Sequence, residues 1–323
     1  MAAPATATAI GVDVGGTKIG GGVVDASGRV LDREQVPTPV DGPGTLAAIQ
    51  SVVAALLERN HGVEAVGVGA AGLVEWPGGR VRWAPHNAYR DLPLRDVLIE
   101  EFGLPVVVDN DANMAAWAEA RLGAGHGADD LVLLTLGTGI GTGLILDGRV
   151  YRGADGLAAE LGHTIVDVDG APCPCGNVGC LEAMASGSAL GRYGREAAEA
   201  DPGGAIARLA GSPEAVTGMH VSLAAEAGDE VARALFDRLG FWLGVGVANA
   251  VTTFDPAVVV IGGGLIATGE LMLAPARAVM ARFTLGRAYR KLPPLVAAGL
   301  GPGAGMVGAA LIALGGRAGP WPT

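Results

Sequence analysis

Runs of basic residues are missing from this chain. Its 323 residues carry 22 Lys and Arg against 33 Asp and Glu, a formal net charge of −11. No segment gathers the positive charge that a nucleic-acid backbone requires, so a nucleic-acid partner is not expected. Cysteine is scarce too: three residues, all between Cys173 and Cys180. An odd, clustered set argues against a disulfide framework and reads as metal ligation in a reducing compartment. Charged residues make up only 17% of the chain and apolar ones 50%, which excludes the weakly hydrophobic, highly charged class of disordered chains. The apolar residues never run unpunctuated for the length a bilayer needs, so no membrane span is expected. Met1 to Ala9 has no basic segment ahead of an apolar core, so no secretory signal is expected and the cytoplasm is the expected location.

What the chain does have is glycine, 54 residues, clustered in short loops after apolar runs. Strands are predicted over Ala7 to Val14, Gly20 to Asp25 and Arg29 to Val36, the last two joined by a Ser27-Gly28 turn. A helix follows from about Thr45 to Asn60, with Leu46, Ile49, Val53, Leu56 and Leu57 at helical spacing. Strands at Ala65 to Gly69 and Pro105 to Asp109 precede a helix over Asp111 to Leu122. A second cycle begins with strands at Leu131 to Leu136, Gly143 to Asp147 and Arg149 to Arg152. Asp229 to Thr253 then reads as a long helix, Val258 to Ile261 as a buried parallel strand, and Gly303 to Leu314 as a small-residue helix. Two halves with similar openings point to duplicated α/β domains around a cleft.

Two glycine turns could hold phosphate. Asp13-Val14-Gly15-Gly16-Thr17-Lys18 directly follows a strand, and Thr135 to Gly143 interleaves hydroxyls with glycines between two more. Tight glycines let backbone N–H groups approach phosphate oxygens. Asp13 could hold Mg²⁺ through water, and Thr17 or Lys18 could contact the phosphates. Taken alone, the first turn reads more readily as a hairpin with a charged tip than as a phosphate site. A third element, Val258 to Gly264, ends a buried strand in glycines, where an adenosine site fits. No G-x-x-x-x-G-K-[ST] occurs, and Gly139 to Gly143 lacks the final step of a dinucleotide fingerprint.

His163 with Cys173, Cys175 and Cys180 makes a Cys₃His set, the closed tetrahedral arrangement of a structural zinc. Buried free thiols are the alternative. With four protein ligands such a zinc has no open position, so it shapes a site and performs no chemistry.

Together these segments resemble the ROK family of sugar kinases, in the sugar kinase–actin–Hsp70 superfamily, and most closely its bacterial glucokinases. The resemblance rests on Asp13 to Lys18, Asp109-Asn110-Asp111-Ala112-Asn113, the Thr135 to Gly143 loop, Glu160-Leu161-Gly162-His163, the knuckle ending Gly179-Cys180-Leu181-Glu182, and Leu300 to Ala310. It implies two duplicated ribonuclease-H-like, actin-like ATPase domains: residues 1–110 with a C-terminal helix at 303–323, and 111–302 with the zinc knuckle. It implies ATP-dependent phosphorylation of glucose at its 6-hydroxyl, with Asp111 as general base and Mg²⁺, ATP and structural zinc as the cofactor set. Gly72, Asn87, Asn110, Asp111, Glu160, His163 and Glu182 fall on sugar-binding positions of the family. Asp13, Gly15, Gly16, Thr17, Lys18, Thr138, Gly139, Gly263 and Gly264 are the expected nucleotide contacts. A homodimer or homotetramer is the expected assembly.

By position alone Asp111 could equally be a helix N-cap, and Glu160 and Glu182 could be solvated carboxylates. Trp76, Trp83 and Trp117 read as packing residues in preference to sugar platforms. The family commonly has glycine where Ala159 stands and an aromatic where Leu181 stands, and Gly203 to Gly218 matches nothing. Other hexoses (mannose, fructose or N-acetylmannosamine) and a polyphosphate donor remain open within this class. A sugar-responsive regulator of the same family is disfavoured, because only Met1 to Gly11 precede the first turn's strand end at Val12-Asp13, too few for a helix-turn-helix.

Overall fold

The computed structural model describes residues 7–84 and 90–315, so Asn87 lies outside the described residues. The chain divides into two compact units. The first takes the residues up to Asp129, Gly143–Ala159 and the chain from Gly299; the second takes Asp130–Thr142 and Glu160–Ala298.

In the first unit β1 (Thr8–Val14), β2 (Lys18–Asp25) and β3 (Val30–Pro37) form an antiparallel meander. Then come α1 (Gly42–Arg59), β4 (Val63–Ala70), the small hairpin of β5 (Leu73–Val74) and β6 (Val81–Trp83), α2 (Leu94–Phe102), β7 (Val106–Asn110) and α3 (Asp111–Leu122). The sheet order is β3-β2-β1-β4-β7, with β1, β4 and β7 parallel. Helix α1 begins earlier than the apolar spacing predicts. The Asp41 side chain accepts the Gly44 N–H, and a proline sits in the first turn, where its missing N–H costs nothing.

A second five-stranded sheet follows, built from β8 (Leu131–Leu136), β9 (Ile140–Leu146) and β10 (Arg149–Val150). A helical stretch leads onward: α4 (Leu181–Ala185), α5 (Gly187–Ala200), α6 (Ala205–Ala210), α7 (Gly218–Glu226) and α8 (Glu230–Phe254). Last come β11 (Val258–Gly262), α9 (Glu270–Phe283), β12 (Leu295–Ala297) and α10 (Ala304–Gly315). The strand order is β10-β9-β8-β11-β12, with β11 parallel to β8 and β12 parallel to β11. This repeats the order of the first sheet strand for strand, the duplicated α/β architecture of an actin-like ATPase fold.

The Val-, Ile- and Gly-rich strands of the first sheet are covered on both faces. A side chain at Gly21 would meet Val52 and Leu56 of α1, and one at its neighbour Gly22 would meet Met306 of α10. Glycine is what lets α10 lie flat on the sheet: a Cβ at Gly11 would collide with the Met306 carbonyl, and one at Gly67 with that of Ala309. On its other side Gly308 of α10 packs directly on the Met114 carbonyl of α3. The sequence reading put the domain boundary at residue 110. Helix α3 lies in the first unit because this glycine contact seats it against α10.

Candidate active site

Asp109, Asn110 and Asp111 stand where β7 ends and α3 begins. Asn110 is the N-cap: its Oδ1 accepts the Ala112 N–H at 2.8 Å and the Asn113 N–H at 3.2 Å. Its Nδ2 donates to the Gly72 carbonyl at 3.1 Å. The capping role weighed for Asp111 therefore falls to Asn110, and Asp111 is the first helical residue, its Oδ1 accepting the Ala112 N–H at 2.9 Å. Gly72 has a φ of 100°, and a Cβ there would collide with the Trp83 carbonyl. Only glycine can present this carbonyl to Asn110 without strain. The three tryptophans carry guanidinium groups on their faces: Arg152 over Trp76 at 3.7 Å, Arg121 over Trp117 at 4.1 Å and Arg90 over Trp83 at 5.9 Å. These cation–π contacts support the packing reading of the rings.

Asp13 is the penultimate residue of β1, and Lys18 opens β2. The turn between them is held by the Gly15 N–H on the Lys18 carbonyl at 3.1 Å and by the Thr38 hydroxyl on the Gly15 carbonyl at 2.7 Å. Gly16, Thr17 and Lys18 are exposed, and a Cβ at Gly16 would meet nothing. The Asp13 carboxyl packs against Gly305 in the first turn of α10. Burial pushes it up to about 7, with the Asp111 carboxylate adding to the shift and Lys18 opposing it. Asp111 is likewise raised by burial; the Ala112 N–H opposes this and the Asp109 carboxylate adds to it. A cation bound beside these two carboxyls would oppose both shifts by favouring their charged forms.

In the second unit the turn after β8 closes with the Gly137 N–H on the Gly139 carbonyl at 3.0 Å. Thr138 and Gly139 form its tip, and structure stands behind them. Glu182, buried in α4, accepts the Ile140 N–H at 2.9 Å through Oε2, and a Cβ at Gly139 would collide with that carboxylate. The first residues of α5 brace the turn as well, the Gly187 N–H donating to the Gly137 carbonyl at 2.8 Å.

Glu160 and His163 flank one 3₁₀ turn, whose His163 N–H bonds the Glu160 carbonyl at 3.0 Å. His163 Nδ1 lies 3.6 Å from Cys173 Sγ, and Cys175 Sγ lies 3.7 Å from Cys180 Sγ. All four ligand atoms fall within 4.8 Å of one another. A tetrahedron with metal–sulfur bonds of 2.3 Å has edges of about 3.8 Å, so the donor set and its spacing both fit zinc. Burial raises the Cys173 and Cys180 thiols, a cost that a bound cation would reverse. Glu182 Oε1 lies 3.9 Å from Cys173 Sγ, so one carboxylate touches both the knuckle and the glycine turn.

A cavity of about 610 Å³ opens beside that turn, lined among others by Thr138, Arg195, Thr217, Met219, Gly264 and Leu265. This is the size of small-molecule and cofactor sites. Gly264 lines it, whereas Gly263, with φ 83°, packs against the Leu136 backbone of β8 and serves the fold. Thr217 and Gly218 come from a stretch whose sequence matched nothing, and no spacing signal marked Arg195.

The ROK family model matches residues 9–315. The chain belongs to the ROK family. Among its relatives, a glucokinase of Streptomyces coelicolor is 43% identical over 307 residues, covering 94% of this chain and 96% of that protein. An N-acetylmannosamine kinase of Yersinia pseudotuberculosis is 34% identical over 306 residues, covering 94% and 97%. The crystal structure of a ROK family glucokinase from Streptomyces griseus in complex with glucose and AMPPNP matches with a TM-score of 0.87 at 46% identity. That match covers 97% of this chain and 100% of the other.

Proposed function

We propose that this protein is an ATP-dependent glucokinase that phosphorylates glucose at its 6-hydroxyl, with Asp111 as general base. The observation that carries the assignment of the base is the division of labour at the head of α3: Asn110 caps the helix, so Asp111 is spare for proton transfer. The Asp111 carboxylate accepts the hydroxyl proton as the sugar oxygen bonds to the γ-phosphorus, while the bond to the ADP oxygen breaks and its electron pair leaves with ADP. Its raised pKa suits a base that must bind a proton transiently. Backbone N–H groups of the turns after β1 and β8 are assigned to the phosphates, and the 610 Å³ cavity to the adenosine. Asp13 would hold magnesium, which would supply charge neutralisation on the phosphoryl oxygens.

Zinc at His163, Cys173, Cys175 and Cys180 is part of the proposal, as a structural ion that orders the knuckle. Glu160, His163, Glu182 and the remaining Asn110 N–H are the assigned sugar contacts. Asn87 keeps that role as an expectation from the family. Among the described residues no helix is long and apolar enough to cross a membrane. A cytoplasmic location, which would keep the thiols reduced, and a homodimer or homotetramer complete the reading.

Glucose is supported by the likeness to the Streptomyces glucokinases. The likeness to an N-acetylmannosamine kinase supports that sugar as the second reading. A coupled assay with glucose, mannose, fructose and N-acetylmannosamine, each with ATP and with polyphosphate, separates them. Glucose with ATP is expected to give the highest kcat/KM, and a higher value for another pair would reassign the substrate or the donor.

A further inference from the structure

Arg152 has no place in the site described so far, yet it is nearly buried, its side chain 10% exposed. Three contacts define it. Its Nε donates to Asp109 Oδ2 at 2.7 Å, its guanidinium lies 3.7 Å over the Trp76 ring, and its Nη1 donates to the Val150 carbonyl at 3.3 Å. Trp76 is itself fixed, its N–H bonded to the Asp155 carbonyl at 3.1 Å. The stretch 150–156 is thereby folded back on Asp109.

Asp109, 1% exposed, hands the constraint on. Its Oδ1 accepts the Asn110 N–H at 2.7 Å and the Asn113 Nδ2 at 3.0 Å, so the carboxylate grips α3 just before and just after Asp111. Strand β7 has its own support apart from this pair, an apolar Val106–Val108 run paired to β4. A buried ion pair is a poor source of stability and a good device for fixing geometry. This pair reaches, through Asp109, the residues on either side of Asp111.

We propose that Arg152 is a positioning residue for the phosphoryl transfer, acting through Asp109 to hold the Asn110–Asp111 step in its working geometry. The guanidinium satisfies the buried carboxylate so that Asp109 can spend its other oxygen on the head of α3. The planar fork, stacked on Trp76, sets the direction of that carboxylate as an ammonium could not. The proposal rests on the reading of Asp111 as the base.

The test uses the full chain with Arg152→Lys, Arg152→Met, Asp109→Asn and the double variant Arg152→Met/Asp109→Asn, with two readouts. In turnover, Arg152→Met is expected to lose about a hundredfold in kcat, the scale of an ångström misplacement, with the KM for ATP unchanged. Arg152→Lys should lie between it and the parent. The double variant should recover part of the loss, because the stranded buried carboxylate is gone. In amide hydrogen exchange, Arg152→Met should lose protection at 110–114 while the α10 segment keeps it. A kcat within twofold of the parent would overturn the proposal. So would a loss of protection spread evenly over the unit, or a double variant worse than either single one. If the parent itself phosphorylates no sugar, the kinase reading fails, and the exchange pattern still decides whether Arg152 holds the head of α3.

Discussion

Two turns with one origin are built differently. Each follows the first strand of a sheet of the same order, and each is rich in glycine. The turn after β1 is tied at one residue: Gly16 has open space where a side chain would go, and Thr38 tethers the turn through its hydroxyl on the Gly15 carbonyl and its N–H on the Thr17 carbonyl. The turn after β8 is backed by Glu182, by the head of α5 and, through Glu182, by the cysteine knuckle. The more open turn neighbours the carboxyls of Asp13 and Asp111, and the braced one neighbours the cavity. On the proposed reading, the first unit carries the chemistry beside the more open turn, and the second carries placement beside the braced one.

The largest expected effect tests the chemical side of that contrast. Asp111→Asn keeps the volume and the helix start, since Asn110 does the capping, but it removes the base. Turnover should fall by about 10²- to 10⁴-fold, with glucose affinity by calorimetry nearly unchanged. Retained turnover would take Asp111 out of the role of base.

Zinc removal strikes the other side. Verified chelation should lower stability and sugar affinity together, and because Glu182 bridges the Cys173 thiol and the Ile140 N–H, it should raise the KM for ATP too. A metal-free protein with unchanged melting and unchanged KM values would contradict the buttress.

Substituting one glycine in each turn compares them directly. Gly139→Ala drives a methyl into the Glu182 carboxylate, a clash of a kind that costs about 1–3 kcal/mol, and should raise the KM for ATP. Gly16→Ala meets nothing, so the fold should stay within about 0.5 kcal/mol of the parent. Equal losses in chemical denaturation would erase the distinction between the turns.

A pH series sharpens the electrostatics of the open turn. Asp13 titrates at about 7 in the folded protein, against 3.8 as its ordinary value. The folded state therefore binds more protons than the unfolded one between those values, and stability falls as pH rises through the window. Asp111 acts in the same direction. Melting of the ligand-free, Mg²⁺-free protein should decline from pH 5 to pH 7, and Asp13→Asn should flatten the slope. Asp32, held down to about 2 chiefly by Arg59, acts below this window and does not confuse it. A flat parent profile would remove the buried-carboxyl account of Asp13.

Much of this was legible in the sequence wherever a local pattern carries it. The long helix expected over 229–253 forms over Glu230–Phe254, because Asp229 caps it and an apolar stripe fills one face. The four knuckle ligands converge because their spacing in the chain already brings them close. What stayed hidden depends on partners far apart in sequence. Arg152 meets Asp109 across 43 positions, and Thr217 and Arg195 line a cavity whose other wall is the turn after β8. Glycine roles were partly hidden for the same reason: at Gly263 and Gly72, both expected near a ligand, backbone from another strand or loop also presses where a side chain would go.

The smallest effect concerns Ala159, where this chain departs from the glycine common in the family. Its φ is 70°, in the left-handed region, directly before Glu160 and at the point where the chain passes from the first unit to the second. A Cβ in that conformation costs roughly 1–2 kcal/mol, which glycine does not incur. Glycine gives back about 0.4–1 kcal/mol through the greater freedom of the unfolded chain. Ala159→Gly should therefore stabilise the protein by about 0.5–1 kcal/mol, read as a shift of the urea midpoint at constant slope. The alanine narrows the backbone choices open to the residue that begins the Glu160–His163 turn. Relief of strain should accordingly come with a modest rise in the KM for glucose and none in that for ATP. A destabilised glycine variant would mean that the Ala159 methyl makes packing contacts worth more than the strain it imposes.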